Sequence, residues 1–186
     1  MNLDVNSLFV VTINVEALLG LLLLFVWVQN SSIQAVVWWG FSDLMRALSI
    51  VLFGLHGTIP DLIDLANAIL FTSFAMLWTG ARLFEGRSPQ PLGLVAGAAI
   101  WFVFCRIPGI MEWTELRVLL SYSIVVAYIW LTACEFWPSR SEPLISRWPA
   151  IFMLFTHGSL FLPCARRWHG CCPPGRRPMK LSAAFG

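Results

Sequence analysis

A chain of 186 residues that is 58% hydrophobic and only 12% charged cannot hide its apolar surface in one water-soluble core. With a mean hydropathy of +0.75 it reads as a membrane protein, and six spans of about 20 residues would use most of its length. The net charge of +2 is unevenly placed: Arg166, Arg167, Arg176, Arg177 and Lys180 crowd the last stretch, which holds no acid, so the rest of the chain is net acidic.

The first apolar run, about Leu8–Val28, lacks the basic lead of a signal peptide and is read as a retained span. Its interior carries Asn14 and Glu16. A second span, about Ile33–Leu55, opens on Trp38 and Trp39 and contains Asp43 and Arg46. The third stretch, Asp61–Arg87, starts behind Pro60, stays apolar from about Leu65 to Trp78 with Asn67 inside, and ends in Arg82 at interface depth. The fourth span, about Leu92–Cys105, is short, and Gly93 and Gly97 form a GxxxG spacing of the kind that lets helix backbones approach closely. Packing inside the bundle is the expected use of that spacing, with a dimer face as the alternative. A fifth span covers about Glu115–Trp137. A sixth starts at Trp148 and reaches about Leu162 with His157 inside, which is short for a crossing. The expected fold is therefore all-α, a polytopic bundle of about six transmembrane helices in residues 1–162. Trp27, Trp38, Trp39, Trp78, Trp137 and Trp148 fall toward one interface as an aromatic belt.

After Leu162 the apolar pattern stops and Arg, Pro, Gly, Cys and Ala take over. That composition is typical of GC-rich coding sequence read out of frame, so residues 163–186 are expected to be a disordered or frameshifted end. The rival expectation is a basic tail that touches anionic lipid. Of the five cysteines, Cys105 and Cys134 lie in spans and Cys164, Cys171 and Cys172 in the tail, which suggests no disulfide framework. Cys164, His169, Cys171 and Cys172 lack the spacing of a zinc knuckle. No phosphate-binding glycine loop, nucleophile elbow or HExxH motif is present. The reading assigns no catalytic centre, no metal, no cofactor and no nucleic-acid partner.

The chemistry then rests with polar groups inside the spans, which are costly there and mark function or packing. Asp43 and Arg46, three apart, share a helix face and can pair. Glu16 is the other candidate partner for Arg46, which would make one buried cluster of Glu16, Asp43 and Arg46. The pair is read either as a self-neutralised packing device or as a signal- or ion-responsive group. Asn67 is expected to hydrogen-bond between helices. His157 is a structural residue or a proton or ligand sensor.

The strings LDVNSLFVVT, VEALLGLLLLFVWVQN, AVVWWGFSDLMRALSIVLFG, DLANAILFTSFAMLWTGARLFEGR, CRIPG and SRWPAIFMLFTHGSLF, running in order from Leu3 to the neighbourhood of Leu162, resemble the N-terminal membrane region of GGDEF-type diguanylate cyclases of alphaproteobacteria, especially rhizobial ones. The resemblance implies a sensory or anchoring region in the bacterial inner membrane, with the C-terminal side cytoplasmic. It also implies a candidate homodimer, and in the family a following domain makes cyclic di-GMP. No Gly-Gly-Asp-Glu-Phe string occurs here, so none of the family's catalytic residues carries over, and the chain is expected not to be an enzyme itself. A small transporter or ion-conducting protein built on Glu16, Asp43 and Arg46 is the alternative.

Overall fold

A computed structural model describes residues 5–55, 62–107 and 114–136. They form five helices: α1 (Val5–Gln29), α2 (Gln34–Leu55), α3 (Leu62–Phe84), α4 (Pro91–Cys105) and α5 (Thr114–Glu135). Four of them, α1, α2, α3 and α5, are long and apolar enough to cross a membrane. At about 1.5 Å per residue the 15 residues of α4 span about 22 Å, short of the ~30 Å hydrocarbon core. The five helices match the first five expected spans to within a few residues. The expected sixth span, with His157, and the tail lie outside the described residues, so the count of about six becomes five helices with four full-length crossings among the residues described.

Local sequence chemistry sets the helix ends. Pro91 occupies the first turn of α4, where its missing N–H costs nothing. Gly86 closes α3 with a φ of 72°, a left-handed conformation that glycine adopts without strain. The Arg87 N–H then reaches back to the Arg82 carbonyl at 2.8 Å, so the turn holds two arginines at one end of the helix.

Helix α3 is the hub: it packs against α2, α4 and α5, whereas α1 packs against α2 alone among the described helices. The apolar core lies among α3, α4 and α5 and is built from Phe71, Ala75, Trp78, Trp101, Cys105, Ile124, Val125, Tyr128 and Ile129. The α2–α3 seam is different in character. Ser42 Oγ donates to the Ser73 carbonyl at 2.8 Å, Ser49 Oγ to the Ala66 carbonyl at 2.9 Å and Trp39 Nε1 to the Leu77 carbonyl at 3.2 Å. Residues 35, 39, 42, 46 and 49 repeat at alternating steps of four and three, which keeps one narrow stripe of α2 facing its neighbour. The small side chains of Ala35, Ser42 and Ser49 permit close approach, and interhelical hydrogen bonds replace the hydrophobic drive that lipid does not supply.

Gly93 and Gly97 both face inward. A Cβ on Gly93 would run into the Trp78 ring, and one on Gly97 would come within 2.8 Å of Tyr128 and 3.1 Å of Phe71. Tyr128 also ties this spot together, its hydroxyl accepting from the Gly97 N–H at 3.0 Å and donating to the Gly93 carbonyl at 2.6 Å. Two other glycines approach the backbone of a neighbouring helix directly. A Cβ on Gly20 of α1 would lie 2.8 Å from the Gly40 carbonyl oxygen of α2, and one on Gly40 would lie 3.0 Å from that of Gly20.

Candidate functional site

Glu16 lies near the midpoint of α1, and Asp43 and Arg46 flank the midpoint of α2. The Gly20–Gly40 crossing brings these helices close enough for the side chains to meet. Arg46 Nε donates to Glu16 Oε2 at 2.9 Å, and Arg46 Nη2 pairs with Asp43 Oδ1 on its own helix. The guanidinium also lies over the Phe74 ring of α3, 5.6 Å from its centroid. One cation thus joins two carboxylates and an aromatic face drawn from three helices. Both alternatives for the partner of Arg46 are realised together.

The cluster is formally one negative charge in excess. Its side chains are not sealed: Arg46 is 19% exposed, Glu16 21% and Asp43 12%. A lone charge at this depth costs about 2.5 to 3.5 kcal/mol on insertion scales, which is reason enough for the three to gather. The group offers a fixed guanidinium to an anion and two carboxylates to a proton or cation. The Arg46 contact to Glu16 also ties α1 to α2 at mid-depth.

Two further polar clusters sit at the helix ends, and sequence reading missed both. At the α3 C-terminus Glu135, only 7% exposed, accepts from Arg82 Nη1 at 2.8 Å and Arg87 Nη1 at 2.7 Å. Trp78 Nε1 donates to the same carboxylate at 3.3 Å, and Arg82 lies over the Trp78 ring at 5.3 Å. Trp78 is therefore an inward-facing partner of Glu135, not a lipid-facing belt residue. The available signal was an acid closing one apolar span and two arginines, Arg82 and Arg87, closing another. At the other end Asp64 accepts from Arg117 Nη2 at 3.1 Å and from Trp101 Nε1 at 3.3 Å. One turn deeper, Asn67 accepts from Ser121 Oγ at 3.0 Å and donates to the Ile63 carbonyl at 2.8 Å, linking α3 to α5. His157 lies outside the described residues.

Beside the Glu135 cluster an open groove of about 610 Å³ runs between the α1–α2 and α3–α4 connections. Ser32, Gln34, Arg87 and Ser88 line it, and Arg87 is 55% exposed. Among the described residues no group of three or more His, Cys, Asp or Glu side chains is placed to hold a metal. No family model, curated protein or solved structure matches the chain.

Proposed function

We propose that this bundle is a sensory or anchoring module of a bacterial signalling protein, of the kind that controls cyclic di-GMP synthesis, and that it works without catalysing a reaction itself. The observation that carries the reading is the attachment of α1. This helix has one helical neighbour among the described residues, and its mid-depth Glu16 shares Arg46 with Asp43. A helix that packs on a single described neighbour and shares Arg46 through Glu16 has a second arrangement, with Arg46 on Asp43 alone, which lies higher by about the 2.5 to 3.5 kcal/mol of an unpaired charge at that depth. A signal that favours this second arrangement would shift α1 relative to α3. The groove at the Arg87 end is a place for a small polar signal molecule. The resemblance of the sequence to diguanylate cyclase membrane regions supplies the output.

In this reading the module lies in the inner membrane with its C-terminal side cytoplasmic. The orientation follows from the resemblance: a six-span reading sets Arg82, Arg87, Arg140 and Arg147 against Arg106 and Arg117, and positive-inside counting turns to the side of the termini only when the five basic tail residues are added. The test is a chimera in which residues 1–162 replace the membrane region of a diguanylate cyclase, with cellular cyclic di-GMP as the readout. Membrane insertion and an output altered by Glu16→Gln or Arg46→Gln are expected. An output indifferent to the presence of the region and to both substitutions overturns the reading.

The excess negative charge and partial exposure of the cluster favour one second reading, a small transporter or ion-conducting protein. Flux in reconstituted vesicles that disappears in Asp43→Asn is its expected signature.

A further inference from the structure

Helix α1 turns one face to α2 and leaves the opposite face uncovered by any described residue. That face is regular. Val11, Asn14, Leu18, Leu21, Phe25 and Val28 follow one another at alternating steps of three and four, the spacing of a helix–helix seam. The five apolar members are between 56 and 71% exposed, and Val10 at 57% and Leu22 at 59% extend the open face at its edges, against 47% for Leu19 and 44% for Val26 nearer α2. Apolar exposure alone asks only for lipid. Asn14 asks for more. It lies within a turn of the helix midpoint, and its side chain is exposed. Its Nδ2 donates to the Val10 carbonyl of its own helix at 2.7 Å, and its Oδ1 finds no partner among the described residues. In hydrocarbon no water is present to satisfy an amide, so a polar side chain at this depth is met by another chain's polar group or by cavity water.

We infer that this seam of α1 packs in parallel against the same seam of a second copy of the chain, with the two Asn14 amides hydrogen-bonded to each other across a twofold axis. Three features select a second copy as the occupant. Copies inserted with the same orientation place Asn14 at the same depth. A carboxamide carries both donor and acceptor and is therefore complementary to itself, as an isologous interface requires. A single Asn in an otherwise apolar seam fixes register and favours a two-stranded partner. The inward-facing Gly93 and Gly97 take no part, so the pairing face is on α1 and not on α4. The pairing does not rest on the signalling reading; a transporter would pair in the same way.

The test uses the full chain in native-like membranes with its five cysteines replaced by serine and single cysteines introduced along α1. Oxidation is expected to give disulfide-linked dimers at Val11→Cys, Leu18→Cys and Phe25→Cys and little at Leu19→Cys and Val26→Cys. In the same membranes Asn14→Val, which faces away from α2 and leaves the fold intact, is expected to weaken self-association about 3- to 30-fold, the range for one interhelical hydrogen bond. Asn14→Gln should restore most of it. Absence of dimers, equal crosslinking at all positions, or self-association unchanged by Asn14→Val overturns the inference. So does a disulfide closed at monomer mass by Leu18→Cys with His157→Cys, because the chain's own later segment would then occupy the seam.

Discussion

The α1–α2 pair and the α3–α4–α5 core solve the same problem of holding helices together in lipid by opposite means. In the core, charge is kept to the ends: Glu135 with Arg82 and Arg87 at one, Asp64 with Arg117 at the other, and between them interlocking rings such as Phe71 on Trp101 and Trp78 on Tyr128. In the α1–α2 pair the charge is at mid-depth, and the packing beside it is a close crossing at Gly20 and Gly40 flanked by Leu24 and Leu44, with no interlocking rings. Ends-first anchoring fits a rigid scaffold, because ion pairs at interface depth keep partial hydration while dispersion fills the middle. A mid-depth cluster is expensive to disturb and has alternative arrangements, which suits a moving part.

The largest effect expected is at Arg46. Arg46→Leu leaves Glu16 and Asp43 facing each other without a cation, and removing one partner of a buried pair typically costs about 3 to 5 kcal/mol. Stability against denaturing detergent should fall accordingly, with α1 separating first. The triple change Glu16→Gln, Asp43→Asn, Arg46→Gln should recover much of the loss, because it removes the uncompensated charge along with the pair. If the single variant is as stable as the native chain, the cluster is hydrated and the contrast with the core collapses.

Glu135→Gln comes next. Two arginines lose their counter-charge, but Arg87 is mostly exposed and solvent screens it, so a loss of about 2 kcal/mol is expected, confined to the α3–α5 contact. Hydrogen exchange should show that loosening at the ends of α3 and α5 and leave α1 unaffected. Loosening that spreads to α1 would mean that the two regions form one cooperative unit.

Glycine substitutions sharpen the comparison further. Gly97→Leu overpacks against Tyr128 and Phe71 and should cost about 1 to 3 kcal/mol. Gly20→Leu should cost less in stability and pull Glu16 out of reach of Arg46, which a changed crosslinking pattern between α1 and α2 would report. Smallest of all, Ser42→Ala removes one interhelical hydrogen bond to the Ser73 carbonyl and should cost about 0.6 kcal/mol in the same detergent assay.

Length, apolarity and turn chemistry sufficed to place five helices, because a membrane span is a local property: enough consecutive apolar residues, bounded by Pro91, by Gly86 or by polar loops. Glu16, Asp43 and Arg46 stood out by the same logic, since an ionisable residue inside an apolar run is visible without knowing its neighbours. What they do with one another was not visible. Whether Arg46 takes Glu16 or Asp43 depends on how far α1 slides along α2, and the Gly20–Gly40 approach decides it. Glu135 escaped notice because an acid at the end of a span reads as an ordinary interface residue until the α3 turn at Gly86 brings Arg82 and Arg87 to it. For Gly93 and Gly97 the expected packing inside the bundle is what the structure shows, but spacing could not name Trp78, Tyr128 and Phe71 as the neighbours, because a small residue permits close contact with any of them. Sequence set the elements and their polar inventory, which depend on transfer into lipid residue by residue. Tertiary packing chose the partners, because pairing energies depend on distances between helices that no single segment encodes.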